Sequence, residues 1–215
     1  MAKLYFRYGA MGSAKTLNLL AVRHNYVQQG KQVKLLKPSI DVRFGDALIR
    51  SRAGLEHDAD ILVDANTTLD FNEFKGLSCV LVDECQFLSA YVVEQLREMT
   101  RVLKIPVIAY GLRTDFQGHL FSGSLRLMEL ADSIEEVKTT CCFCNRKAVF
   151  NLRHDSEGRA LVEGPSILLG SEEFYSPACY ECYQSRVQQA QELHGLKPVF
   201  PYSRRQEAAS EAAGR

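Results

Sequence analysis

Gly9-Ala10-Met11-Gly12-Ser13-Ala14-Lys15-Thr16 is the stretch that decides how the chain folds. It follows a short apolar and aromatic run, Leu4-Tyr5-Phe6-Arg7-Tyr8, and precedes a helical-looking segment from Leu17 to Gln29. Strand, small-residue loop, Lys-Thr and helix is the layout of a phosphate-cradling P-loop. Small residues let successive backbone N–H groups turn inward around a phosphate, and the start of the helix adds partial positive charge. Gly9 to Ala14 form the cradle, Lys15 reaches the outer phosphates, and the Thr16 hydroxyl ligates Mg²⁺. Ala14 stands where the pattern carries glycine. The helix begins there, so a negative φ is expected and a methyl should be tolerated. The plainer alternative is an ordinary glycine turn that ends in Lys-Thr.

Working outward, Gly30 is placed to end the first helix, and Leu17, Leu20, Ala21 and His24 offer a face with three-and-four spacing. Gln32 to Leu36 reads as a strand stopped by Pro38. Strand–helix–strand predicts a crossover connection and a parallel sheet. The polar segment from Ser39 to Leu55 reads as a functional loop with partial helix. Ile61-Leu62-Val63 is a brief strand, and Thr68 to Phe74 a short helix or turn. Cys79-Val80-Leu81-Val82 is a continuous apolar run, as expected of a strand buried on both faces. A helix is expected from Tyr91 to Val102 with Ser89 as its N-cap, then a buried strand from Pro106 to Gly111. Ser122 to Ala131 reads as a helix, and Ile134 to Val137 as the last strand of this series.

The chain of 215 residues suits one α/β domain with a small appendage. Its hydrophobic fraction of 46% supports a real core. Lys+Arg and Asp+Glu both number 26, so no excess charge argues for nucleic acid as a partner. No apolar run approaches the ~18 residues of a membrane span, and the start of the chain lacks signal-peptide architecture. A cytoplasmic protein is expected. Around Thr139 cysteines and turn residues replace the long alternation, which places a boundary between residues 1–138 and 139–202. The tail, 203–215, is polar and is expected to be disordered.

Two constellations carry chemistry. The apolar strand at Cys79 empties into Asp83-Glu84, the Walker B arrangement, which aims Asp83 at Mg²⁺ beside Thr16. Glu84 is then placed as a general base, toward water in an NTPase or toward a substrate hydroxyl in a kinase. The bland alternative is a solvent-facing loop carboxylate. The second constellation is Cys141-x-x-Cys144 with Cys179-x-x-Cys182, four of the seven cysteines. Two such turns complete a tetrahedral zinc site with no open position, so the zinc is expected to be structural. Cys142 lacks the two-residue gap, and Cys79 and Cys85 read as core thiols.

Four motifs in order go further: Gly9 to Thr16, Val82-Asp83-Glu84-Cys85-Gln86-Phe87-Leu88, Tyr110-Gly111-Leu112-Arg113-Thr114-Asp115-Phe116, and Tyr175-Ser176-Pro177-Ala178-Cys179-x-x-Cys182-Tyr183. In that combination the chain resembles the cellular-type (type II) thymidine kinases over about Met1 to Gln188. The resemblance implies a RecA-like P-loop domain, a small zinc-binding domain and commonly a homotetramer. It implies transfer of the γ-phosphate of ATP to the 5′-hydroxyl of thymidine with Mg²⁺, Glu84 being the base. It further implies that Asp41, Arg43 and Arg153 assist with phosphate, metal or substrate. Met11, Leu112 and Phe116 would line the thymine pocket. A lasso from Asn151 to Tyr175, with Leu168, Leu169 and Gly170 within it, would close over the base, Tyr175 being its aromatic lid residue. Ser171 replaces a common glycine there. Thymidine triphosphate is the feedback inhibitor that the resemblance suggests. Two other classes remain in view at this level, a nucleic-acid-stimulated P-loop ATPase and a zinc-ribbon module with a degenerate P-loop.

Overall fold

The computed structural model describes residues 1–166 and 174–194. Leu168, Leu169, Gly170, Ser171 and the tail from Ser203 lie outside the described residues. The central sheet has six strands: β1 (Leu4–Tyr8), β2 (Val33–Pro38), β5 (Ile61–Val63), β6 (Cys79–Val82), β7 (Val107–Gly111) and β8 (Ser133–Glu136). Their order is β5-β2-β6-β7-β1-β8, and every neighbouring pair is parallel. Helices α1 (Lys15–Gln28), α2 (Ala90–Val102) and α3 (Ser122–Leu130) cover its faces.

Period-two alternation assigns each strand residue to a helix. Cys79 and Leu81 of β6, with Ile108 and Tyr110 of β7, pack against Leu19 and Leu20 of α1. Val80, Val82, Val107 and Ala109 face Val92, Val93, Leu96 and Met99 of α2 and Leu127 of α3. Both faces are apolar because both are covered, as a parallel sheet requires. Ser89 caps α2 by accepting from the Val92 N–H at 3.3 Å. Since all six strands run the same way, their carboxyl ends open at one rim of the sheet, where ligands bind in such folds.

The described residues beyond 138 build a second core. β9 (Phe150–Arg153) and β10 (Tyr175–Ala178) pair antiparallel, with Tyr175 opposite Arg153, and α4 (Tyr180–His194) follows. Leu152, Ala178, Tyr183 and Val187 pack here together with Ala10 of the first loop. The second core therefore abuts the phosphate-loop motif directly.

Three expectations are corrected. The segment from Ser39 to Leu55 holds no helix; it leads into the antiparallel strands β3 (Leu48–Arg50) and β4 (Glu56–Asp58), paired Ile49 to His57. Gly54, at φ +86°, supplies the turn between them. The inward face of α1 is Leu19 and Leu20, with Val22 and Tyr26 partly buried, while Ala21 and His24 are exposed. The helix phase is set by Thr16, whose hydroxyl must meet Asp83, and three-and-four spacing from Thr16 leads to Leu19 and Leu20. Ala14, lastly, has φ +62° and ψ 29°, the left-handed conformation, rather than a negative φ. It is the N-cap and not the first helical residue, so it carries the backbone turn that glycine carries in the pattern.

Candidate active site

At the rim a cleft of about 250 Å³ is lined from five directions. Met11, Gly12, Ala14, Lys15 and Thr16 come from the β1–α1 loop and the start of α1, Asp83, Glu84 and Gln86 from the end of β6, and Leu112 to Phe116 from the end of β7, Arg113 excepted. Asn151, Ser166 and Tyr175 come from the second core. Asp41, Arg43 and the β3–β4 hairpin close the remaining side. The loop near the amino end and the stem of the 151–175 segment thus share one crevice.

The phosphate loop is tightly specified. A Cβ at Gly9 would lie 2.3 Å from the Val137 carbonyl oxygen and 2.5 Å from Ser13 Oγ, so only glycine fits. Gly12 and Ala14 both sit at positive φ, the left-handed conformation on which anion-binding loops curl. Lys15 Nζ donates to the Ala10 carbonyl at 2.9 Å, folded back over the loop. Burial lowers the Lys15 pKa, and the nearby charges of Glu84 and Asp83 oppose that. A polyanion in the loop would supply the missing counter-charge. Thr16 Oγ1 lies 3.1 Å from Asp83 Oδ2, a hydroxyl and a carboxylate oxygen together, the hard oxygen pair that suits Mg²⁺.

Glu84 occupies a strained position, φ +47° and ψ 39°, at the N-terminus of a short 3₁₀ turn from Cys85 to Phe87. A left-handed non-glycine residue costs about 1–3 kcal/mol and persists only where its surroundings hold it. Here they do. Arg43 Nη2 donates to Glu84 Oε1 at 2.5 Å, and Gln86 Nε2 donates to Oε2 at 2.5 Å. Arg43 also bonds both oxygens of Asp41, at 2.5 and 3.1 Å. Lys37 Nζ, 1% exposed, stands 3.6 Å from Asp41 and donates to the Gly45 and Leu48 carbonyls.

The two adjacent carboxylates are driven apart. Burial, then repulsion from Glu84, pushes Asp83 up to about 7. Burial acts upward on Glu84 too, but the charges of Arg43 and Lys15 and the bonds from Arg43 and Gln86 outweigh it, so Glu84 is lowered. A largely buried carboxylate held ionised can accept a proton, and its neighbour would give up its own proton to a bound cation.

Other residues named from the sequence divide. Asn151, 4% exposed, accepts from the Met11 N–H at 2.8 Å and donates to the Thr114 carbonyl at 3.4 Å. It ties the phosphate loop to the end of β7. Phe116 and Tyr175 line the cleft, but Arg153 is not among the lining residues. Its guanidinium carbon lies 5.0 Å from the Phe116 ring centroid. The sequence reading assigned no role to Gln86, nor to the aromatic and apolar side chains Phe44, Ile49, Phe87 and Phe121 of the lining. Alternation in Ile40-Asp41-Val42-Arg43-Phe44 was the available signal for Phe44; nothing local marks the others.

Beyond the cleft, the sulfurs of Cys141, Cys144, Cys179 and Cys182 all lie within 4.8 Å of one another, and Cys144 Sγ and Cys179 Sγ are 3.6 Å apart. Zn–S bonds of ~2.3 Å in a tetrahedron place sulfurs ~3.8 Å apart, so the quartet fits zinc. The Phe143 N–H points at Cys141 Sγ (3.4 Å) and the Cys182 N–H at Cys179 Sγ (3.5 Å), which orients two lone pairs inward. Cys142 is exposed and outside the quartet; Cys79 and Cys85 are buried thiols.

Comparison with known proteins agrees with this geometry. The thymidine kinase family profile matches residues 2–183. A thymidine kinase of Chromobacterium violaceum is 43% identical over 183 residues, 85% of this chain and 98% of that protein. One from Legionella pneumophila subsp. pneumophila is 46% identical over 184 residues, 83% of this chain and 88% of that protein. One from Lactiplantibacillus plantarum is 43% identical over 186 residues, 85% and 96% of the two chains. Among solved structures, a Pif1 helicase from Candida albicans overlaps 63% of this chain and 36% of its own at 12% identity and a TM-score of 0.38, too slight a likeness to carry an argument. With a match that runs through the phosphate loop, Glu84 and the cysteine quartet alike, this chain belongs to the thymidine kinase family.

Proposed function

We propose that the protein phosphorylates thymidine, moving the γ-phosphoryl group of ATP to the 5′-hydroxyl. The observation that carries this reading is the position of Glu84: an ionised carboxylate gripped by Arg43, in the same cleft as Lys15 and Thr16. As the 5′ oxygen bonds to phosphorus and the bridging P–O bond to ADP breaks, Glu84 accepts the 5′ proton. The Gly9–Thr16 loop and Lys15 hold the phosphates, and Thr16 and Asp83 hold Mg²⁺. Bound there, Mg²⁺ neutralises charge on the transferring group. Met11, Asp41, Leu112, Phe116, Asn151 and Tyr175 form the nucleoside side, completed by 168–170 of the lasso, and Arg43 serves both substrates.

The same proposal assigns residues 1–138 to the kinase domain and 139–202 to a domain stapled by zinc on the cysteine quartet. A cytoplasmic homotetramer inhibited by thymidine triphosphate, without a nucleic-acid partner, completes it. Support for these last features comes from the family resemblance. No helix among the described residues is long and apolar enough to cross a membrane.

The test is direct. Metal-replete protein incubated with Mg²⁺, thymidine and ATP labelled at the γ-phosphate should yield labelled thymidine monophosphate. Hydrolysis of ATP stimulated by DNA, with no label on thymidine, would instead make it a nucleic-acid-dependent ATPase.

A further inference from the structure

Phe116 lines the cleft from an irregular segment past the end of β7, a loop closed by the Thr114–Leu120 bridge and by the Asp115 N–H donating to the His119 carbonyl at 2.9 Å. Such segments are ordinarily among the least stable parts of a fold. Phe116 is nonetheless 3% exposed, and two side chains from the second core reach it. The Tyr183 hydroxyl donates to the Phe116 carbonyl at 2.6 Å. Arg153 sets its guanidinium carbon 5.0 Å from the centre of the Phe116 ring, while its Nη1 donates to the Pro165 carbonyl at 3.1 Å. Neither Tyr183 nor Arg153 lines the cleft, so both act from behind the ring.

These two side chains are themselves fixed. Tyr183, 2% exposed, stacks on Phe150 with ring centroids 4.7 Å apart and planes inclined by 21°. It follows Cys182 in the first turn of α4, and its own N–H donates to the Cys179 carbonyl at 2.9 Å. Arg153 sits in β9 opposite Tyr175, with 8% exposure. A Cβ on Gly164 would come within 3.1 Å of Arg153 Nη1, so the backbone there is close against the guanidinium.

We propose that Tyr183 and Arg153 are positioning residues that hold Phe116 from behind, one by its carbonyl and one by its ring, and thereby set the affinity of the cleft for the nucleoside base. The inference rests on the thymidine reading above. It gives the cysteine quartet a task beyond stapling, because Tyr183 transmits the placement of that turn to the cleft. Arg153 belongs to this arrangement rather than to the phosphates.

Steady-state kinetics of Tyr183→Phe, Arg153→Met and Arg153→Lys tests it. Loss of one hydrogen bond or one cation–ring contact should raise the KM for thymidine roughly 3- to 10-fold. The KM for ATP and kcat should stay within about twofold. Arg153→Lys, which keeps the charge near the ring, should fall between wild type and Arg153→Met. Combined with Phe116→Leu, Arg153→Met should add nothing to the KM for thymidine, since the ring through which it acts is gone, and Tyr183→Phe, which acts through the retained carbonyl, should add less than it does alone. Full additivity, or a loss confined to kcat or to the KM for ATP, overturns the proposal. Wild-type protein that leaves thymidine untouched would remove the functional reading alone. The clamp would then be read by hydrogen exchange in the ligand-free chain. Amides at Asp115 and Gly118, bonded to His119 and Asp115 carbonyls, should exchange faster in both Tyr183→Phe and Arg153→Met. Unchanged exchange there would refute the clamp.

Discussion

Arg43 Nη2 lies 2.5 Å from Glu84 Oε1, and the same guanidinium holds both oxygens of Asp41. One cation thus joins the loop after β2 to the end of β6 and, with Lys15 and Gln86, outweighs the upward push of burial on Glu84. Arg43→Met should lower kcat on the order of 10²- to 10³-fold, the range of a displaced general base. With its lowering partner gone, Glu84 should titrate at higher pH, so the acid limb of kcat/KM should move upward. A pH–rate profile checks this; a limb that stays in place would show that Glu84 is not the group being titrated.

Gln86 bridges base and pocket. Its Nε2 donates to Glu84 Oε2 and its Oε1 accepts from the Leu112 N–H at 3.0 Å. Gln86→Leu strands a buried carboxylate oxygen and a backbone donor at once, each costing about 1–3 kcal/mol. Both kcat and the KM for thymidine should worsen by roughly tenfold or more. A change in only one of them would mean that the bridge is not acting on both sides.

Asp83 is pushed up to about 7 by burial and by Glu84. The raised folded pKa makes its contribution to stability complete below the ordinary carboxylate range, and that contribution is lost as pH rises through about 7. Asp83→Asn removes the titration. Relative to wild type, the metal-free variant should gain stability between pH 4 and pH 7.5, on the order of 4 kcal/mol. Thermal melts of both proteins across that window provide the measurement. A constant offset between the two curves would contradict the assignment.

Ala14 adopts φ +62°, a conformation glycine reaches without steric cost. Ala14→Gly should therefore stabilise the fold by about 1 kcal/mol. The backbone path of the loop is unchanged by the substitution, so the KM for ATP should hold within about twofold. A destabilised Ala14→Gly protein would indicate that the alanine methyl makes a compensating contact.

The cysteine quartet predicts that purified protein carries about one zinc per chain. A strong chelator should release it and lower the melting temperature. Cys144→Ser should do likewise, through loss of one ligand. Retention of the full melting temperature after complete zinc removal would mean that the second core stands without a metal.

Much of this protein was legible in local residue order. Continuous apolar runs at Cys79 and Val107 marked buried parallel strands, because strands covered on both faces need no alternation. Ser89 marked the start of α2, and the spacing of Cys141, Cys144, Cys179 and Cys182 marked their quartet. What failed was whatever depends on a partner remote in sequence. The face that α1 buries follows from Thr16 meeting Asp83, sixty-seven positions away. The backbone angle of Ala14 follows from a closed loop, which no propensity records. The β3–β4 pair has few apolar residues, so its polar sequence resembled a loop.

Residue types and spacing by themselves determined the chemistry this chain can perform: a phosphate cradle, a carboxylate pair and four thiolates, each defined by neighbours close along the backbone. Tertiary structure alone decided how those parts work on one another. It set Arg43 on Glu84, ran Gln86 from Glu84 to the Leu112 N–H, bound Asn151 to the Met11 N–H, and brought the Arg153 guanidinium to the Phe116 ring. Contacts of that kind arise between elements brought together by packing, and their energies depend on burial, which no short stretch of sequence encodes.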